Sequence, residues 1–229
     1  MGNLREKRYT LIKKKIDRGM VVVDVGANVG YYSLLASRLV GEDGKVFAFE
    51  PDPYNYALLI KNLRANVCKN VFPTRMAVLN RSGTMELFRD KQNYGAHSLF
   101  KAAVRNLHNS TLVKTVSLDE FFRGKERPID IVKIDVQGSE VGVFEGMHKI
   151  IDVNEDLKII MEFWPWALKR AGYSPMWFLK RILECNFKLY LIKEHIQLVD
   201  AEELIKICGE TDSVNILCEK SHNSSFSRL

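Results

Sequence analysis

Hydrophobic residues recur along this chain in two rhythms. Compact runs rich in β-branched and aromatic residues occur near 21–25, 45–50, 70–79, 129–134, 157–164, 187–192 and 213–219, with the length and composition of buried strands. Between them, helix-forming stretches follow Gly30, cover 54–67, follow Gly138 (Val141, Phe144, Met147, Ile151) and cover 176–185 and 201–208. Strand followed by helix, repeated, predicts an α/β architecture.

The punctuation agrees with this reading. Pro51 and Pro53 stop the second run, and Pro73 in the third suits an edge strand. Ser117-Leu118-Asp119-Glu120 is a capping box that starts a short helix through Phe121 and Phe122. Ser174-Pro175 supplies an N-cap and a first-position proline, and Gly209 closes the helix over 201–208. Residues 81–84 read as a turn and 85–88 as a short strand that a minimal alternating plan does not need. Residues 89–116 have no helical period and are expected as a loop over the active site, with His97 inside the glycine-bearing segment 93–99.

Polar residues gather where strands pass into helices. The first run, 21–25, contains Asp24 and leads into Gly26, Asn28 and Gly30. A glycine turn between strand and helix is expected to leave backbone N–H groups pointing outward and to let a ligand approach the main chain closely. A dinucleotide fingerprint would need glycines at 26, 28 and 31; Asn28 and Tyr31 rule it out. Glu50 closes the second run 24 residues after Gly26, near the offset at which an acid accepts hydrogen bonds from ribose hydroxyls. Asp135 and Glu162 close two later runs. Four acids at four strand ends define one rim, where open α/β sheets bind ligands.

The ordered set VDVGANVGYYS, FAFEPDP, a strand ending in AV, SLDEFF, IVKIDVQGSE and MEFW resembles the FkbM family of S-adenosylmethionine-dependent methyltransferases over about residues 20–165. The family usually has Glu where this chain has Gln137. The resemblance implies a class I methyltransferase fold: a doubly wound, mostly parallel seven-stranded sheet with its last strand antiparallel. It implies S-adenosylmethionine as cofactor, with Asp24 bracing the turn and Gly26, Asn28, Gly30, Tyr31, Glu50, Pro51, Met76, Ala77 and Asp135 around the cofactor. It also implies methyl transfer to oxygen, commonly a hydroxyl of a sugar or other small metabolite.

Composition narrows the context. At 229 residues and 46% hydrophobic, with no linker rich in Pro, Gly or Ser, a single domain is expected. No apolar run is long enough to span a bilayer and the first residues lack a signal peptide's apolar region, so a cytoplasmic protein is expected. Cys68, Cys185, Cys208 and Cys218 have no metal-ligand spacing and read as free thiols. Of the net charge of +6, residues 1–19 carry +5, in a segment with helical spacing at Leu4, Leu11, Ile12 and Ile16; the rest is nearly neutral, unlike a broad nucleic-acid face. Residues 221–229 read as a tail.

A base assists when a neutral hydroxyl is methylated. Asp135 is the first candidate, with His97 and Glu162 following, and Lys133 nearby as packing or an ion pair. Trp164 and Trp166 are candidates to wall the acceptor pocket. Asp135 and Glu162 as a Mg²⁺ site is a variant, although no third ligand is evident. An RNA methyltransferase using the basic N-terminal helix is an alternative, with neither an Asn/Asp-Pro-Pro-aromatic nor a Pro-Cys motif in its favour. A cofactor-binding protein without turnover is another.

Overall fold

The computed structural model describes residues 13–93, 95–124, 128–209 and 211–221. The strands are β1 (Val21–Val25), β2 (Lys45–Phe49), β3 (Val71–Thr74), β4 (Ala77–Val78), β5 (Gly83–Asp90), β6 (Leu107–Val116), β7 (Ile131–Ile134), β8 (Lys158–Phe163), β9 (Phe187–Ile192), β10 (Ile196–Leu198) and β11 (Val214–Lys220). The helices are α1 (Tyr31–Val40), α2 (Pro53–Ala65), α3 (Leu118–Phe121), α4 (Glu140–Glu145), α5 (His148–Val153), α6 (Pro165–Arg170), α7 (Pro175–Glu184) and α8 (Ala201–Cys208).

The central sheet has the order β10-β9-β11-β8-β7-β1-β2-β3. The pairs from β3 to β8 are parallel, and β11 inserts antiparallel between β8 and β9. The seven expected strands are all present and the last runs antiparallel. The sheet nevertheless has eight strands, because β10 folds back on β9 as an antiparallel edge. Pro73 lies in β3, the opposite edge, where its missing N–H breaks no ladder.

Both faces of the sheet are covered, so its strands are apolar on both sides. Val22, Ile131, Ile160 and Leu217 pack with Tyr32, Ala36, Val40 and Leu59 of α1 and α2. Val23, Val132, Ile159 and Met161 pack with Phe144, Phe178 and Ile182 on the other face. Ile16 joins the first cluster, and Lys15 pairs with Glu219 at 2.9 Å. The rest of the basic segment, residues 1–12, lies outside the described residues, as do Tyr94 and the tail from 222.

Two expectations are corrected. The run over 70–79 is not one strand: after Thr74 the chain leaves the main sheet, and Ala77 and Val78 pair with Thr115 and Val116 of β6. Residues 107–116 are not loop but a ten-residue strand paired antiparallel with β5, making a second sheet of order β4-β6-β5. Most of this ribbon is exposed on both faces, so it lacks the alternation that marks a half-buried strand.

The helix expected after Gly138 is also two. Gly146 passes so close to β4's exit that a Cβ there would lie 2.1 Å from the Leu79 carbonyl oxygen. The chain breaks at that approach and restarts as α5, whose N–H groups at Lys149 and Ile150 donate to the Asp119 carboxylate at 3.0 and 3.1 Å. Asp52 caps α2 in the same way, accepting from Tyr54 and Asn55 at 2.8 and 3.0 Å. Among the described residues, no helix is long and apolar enough to cross a membrane.

Candidate active site

The turn after β1 carries positive φ at Gly26 (77°), Asn28 (50°) and Gly30 (91°). A Cβ on Gly26 would lie 2.0 Å from the backbone oxygen of Asp135, so the glycine is required by the approach of the β7 exit. The N–H groups of Gly26 and Ala27 donate to the Phe49 carbonyl at 3.0 and 2.9 Å, that of Asn28 to Glu50 Oε2 at 2.7 Å, and that of Gly30 to Ala27 at 2.8 Å. These four donors are thus consumed internally. The expectation that they point outward for a ligand is corrected; the turn contributes shape and the acid it orients.

Asp24 is fully buried beneath this turn. It accepts the Ser33 hydroxyl at 2.6 Å, and the Lys133 ammonium stands 3.1 Å from its other oxygen while donating to the Gly26 carbonyl at 3.0 Å. Lys133 faces Asp24 because the two are register partners on β7 and β1. Asp135 lies two residues beyond Lys133 and so on the same side of the chain, with Oδ2 at 3.8 Å from the ammonium.

A pocket opens above these strand ends. The structure brings Gly26, Asn28, Glu50, Pro51, Met76, Ala77, His97 and Asp135 to its wall. Asp24, Gly30, Tyr31 and Glu162 do not line it. Asp24 is buried under the turn, Gly30 packs on Leu59, and Tyr31 begins α1 with its side chain mostly in solvent.

Glu50 is 5% exposed and fastened through both oxygens, Oε2 to the N–H of Asn28 and Oε1 to that of Asp52 at 2.9 Å. Burial pushes its carboxyl up from 4.5 to about 7, against the pull of those two N–H groups. Each oxygen keeps a lone pair for a hydroxyl donor in the pocket. The apolar wall of Met76, Ala77, Val78, Leu87 and Leu99 faces the same space.

On the opposite side, the Gln137 amide nitrogen donates to Asp135 Oδ1 and to Glu162 Oε2, both at 2.8 Å. Ser213 donates to the other oxygen of Glu162 at 2.7 Å. Burial and then the negative charge of Asp135 raise the Glu162 pKa. The amide occupies the space between the carboxylates that a cation would take. Two carboxylates already hydrogen-bonded there do not fit a divalent ion, and among the described residues no group of three metal-binding side chains occurs.

His97 comes from the segment between β5 and β6, with Nδ1 accepting the Asp90 N–H at 3.1 Å. A backbone N–H only donates, so the neutral ring carries its proton on Nε2. Burial lowers the His97 pKa and favours that neutral form. With Nδ1 occupied by that N–H and the proton on Nε2, the base role expected of the ring is not one this geometry supports.

Sequence reasoning missed Asn55, Ser139, Leu87 and Leu99, which also line the pocket. Asn55 follows the Asp52 cap by three residues and is nearly fully buried, a legible signal in a polar residue of a helix's first turn. Leu87 and Leu99 carried none, because β5 and the 95–99 segment lacked a recognised partner.

The Methyltransferase FkbM domain matches this chain over residues 24–201. The chain belongs to that family. Its curated relatives include the hexuronic acid methyltransferase AglP of Haloferax volcanii, 30% identical over 60% of this chain and 54% of AglP. The methyltransferase sdnD of Sordaria araneosa is 30% identical over 56% of this chain and 60% of sdnD. The chain thus spans little more than half the length of these relatives. Among solved structures, the methyltransferase FkbM of Methylobacillus flagellatus KT shares its fold, with a TM-score of 0.54 and 13% identity over 90% of this chain and 44% of that one. In this FkbM chain the strand order reverses between β1 and β7, and the pocket lies beside that point.

Proposed function

We propose that this chain is an S-adenosylmethionine-dependent O-methyltransferase acting on a hydroxyl of a sugar or related small metabolite. The observation that carries the reading is the convergence of Glu50 and Asp135, from the ends of β2 and β7, on one pocket across the β1 turn. Membership of the FkbM family and similarity to AglP, a hexuronic acid methyltransferase, support it.

The residues fit the cofactor. Glu50, buried and oriented by two backbone donors, would hold the two hydroxyls of its ribose, and the wall of Met76, Ala77 and Leu87 would take its adenine. Gly26 and Asn28 would leave room for its amino-acid end. When bound, the cofactor supplies an electrophilic sulfonium methyl group.

The chain's own task is then alignment and proton removal. Asp135 reaches the pocket with one oxygen held by Gln137 and the other facing Lys133, and would take the proton of the acceptor hydroxyl. Glu162 fixes Gln137 and through it Asp135, a positioning role.

Calorimetry with S-adenosylhomocysteine on wild type and Glu50→Ala, followed by an acceptor screen of hydroxylated sugars with S-adenosylmethionine, tests the reading. Tight binding lost in the variant, with a methylated sugar as product, is expected. A pocket indifferent to S-adenosylhomocysteine would overturn it.

A further inference from the structure

Resting on that reading of a sugar hydroxyl as acceptor, we infer that the acceptor is an anionic sugar, held by its carboxylate or phosphate between Arg105 and Arg170 on a platform of Trp164 and Trp166. The two indoles stack with centroids 5.1 Å apart and an interplanar angle of 26°. The Arg105 guanidinium lies 5.2 Å from the Trp164 centroid and 5.0 Å from that of Trp166, and Arg170 lies 5.2 Å from Trp166 on its own account. Their charged carbons are therefore no more than about 10 Å apart, comparable with the Debye length of about 10 Å at 0.1 M salt.

Stacking immobilises a guanidinium while leaving its N–H edge for a planar oxyanion. Among the described residues, no carboxylate forms an ion pair with either arginine, although Asp212 lines the same groove. Two exposed like charges gathered on one indole repel each other, and an anion between them relieves this.

The groove and the active pocket share no lining residue, but neighbouring contacts tie them together. Trp164 follows the last residue of β8, two positions after Glu162, and its Nε1 donates to the Thr211 carbonyl at 2.9 Å, two residues before Ser213, the partner of Glu162. The Ala167 carbonyl of α6 lies against Gly138, next to Gln137. On the other wall, Arg105 follows the segment of His97, Ser98 and Leu99 that lines the pocket. On this inference the sugar would extend from the groove, along the contacts of Thr211, Ser213 and Glu162, toward Asp135.

Tryptophan fluorescence of the full chain saturated with S-adenosylhomocysteine tests this, titrated with methyl glucuronide, glucose 6-phosphate and neutral methyl glucoside. Wild type should bind at least one anion more than tenfold tighter than the glucoside, and R105A/R170A should lose that preference while keeping its S-adenosylhomocysteine affinity. Which anion wins separates carboxylate from phosphate. Equal binding of all three sugars, or an anion preference that survives R105A/R170A, overturns the inference. Anion binding without methyl transfer to any sugar would instead overturn the proposed reaction and leave the groove assigned.

Discussion

The ammonium of Lys133 stands 3.1 Å from Asp24 Oδ1 and donates at 3.0 Å to the carbonyl of Gly26, tying β7 to the first residues of the turn that shapes the pocket. Asp24 is fully buried, so removing its partner leaves a charge without compensation. Lys133→Met is expected to lower stability by about 3–5 kcal/mol, with D24N/K133M recovering part of the loss. Urea unfolding measures both. A single variant within about 0.5 kcal/mol of wild type would mean that the pair does not brace the turn.

Glu50 accepts a backbone N–H on each oxygen. In Glu50→Gln the amide nitrogen must face one of those donors, so a stability loss of about 1–3 kcal/mol is expected beside a loss of S-adenosylhomocysteine affinity of about ten- to a hundredfold. Ribose hydroxyls donate to the ionised form, and the carboxyl titrates at about 7. Affinity in wild type should therefore rise as pH goes from 6 to 8 and be flat in Glu50→Gln. Calorimetry across that range decides, and a pH-independent wild type would contradict the assignment.

Glu140 is buried under the pocket, with Oε1 accepting the Gly138 N–H at 3.1 Å and Oε2 making no hydrogen bond. Burial raises its carboxyl from 4.5 to about 7. Between those values the folded chain retains a proton that the unfolded chain has released, so stability falls as pH rises through this window and levels off above it. Glu140→Gln removes this contribution, worth up to about 3 kcal/mol. Its Tm should change less than that of wild type between pH 5 and pH 8; parallel curves would refute the point.

The rim was legible because parallel strands end in line. Asp24, Glu50, Asp135 and Glu162 each lie at or near the exit of an apolar run, and the topology brings those exits together. Their separate fates were not legible. Asp24 faces Lys133 and Glu162 faces Ser213, contacts between strands 109 and 51 residues apart that no local pattern encodes. The second sheet was hidden for a different reason: β5 and β6 expose both faces, so polar residues occupy positions where burial would have imposed alternation. His97 was seen, but its tautomer depends on the Asp90 N–H, which the β5 register irregularity between Arg89 and Asp90 accompanies.

Asp135 and His97 make different demands on turnover. If Asp135 takes the hydroxyl proton, Asp135→Asn should lower kcat by about 10²–10⁴ with S-adenosylhomocysteine affinity within about threefold of wild type. His97→Asn should retain most activity. A loss of kcat in His97→Asn as large as that expected for Asp135→Asn, with Asp135→Asn itself nearly as active as wild type, would transfer the base role to the histidine.

Gly26 distinguishes a glycine kept for a ligand from one kept for the fold. If only ligand approach required it, Gly26→Ala would leave the free protein intact and weaken binding. The added Cβ instead would meet the Asp135 carbonyl at 2.0 Å, at a φ of 77° that an alanine adopts only with strain. β1 and β7 must then move apart, which disturbs the Lys133 contacts with Asp24 and Gly26 and shifts Asp135 relative to Glu50. Gly26→Ala is therefore expected to lower the Tm of the ligand-free chain, by several degrees for a loss of about 2 kcal/mol. It should reduce S-adenosylhomocysteine affinity as well. Thermal unfolding without ligand is the deciding measurement, and an unchanged Tm with weakened binding would restore close ligand approach as the reason for this glycine.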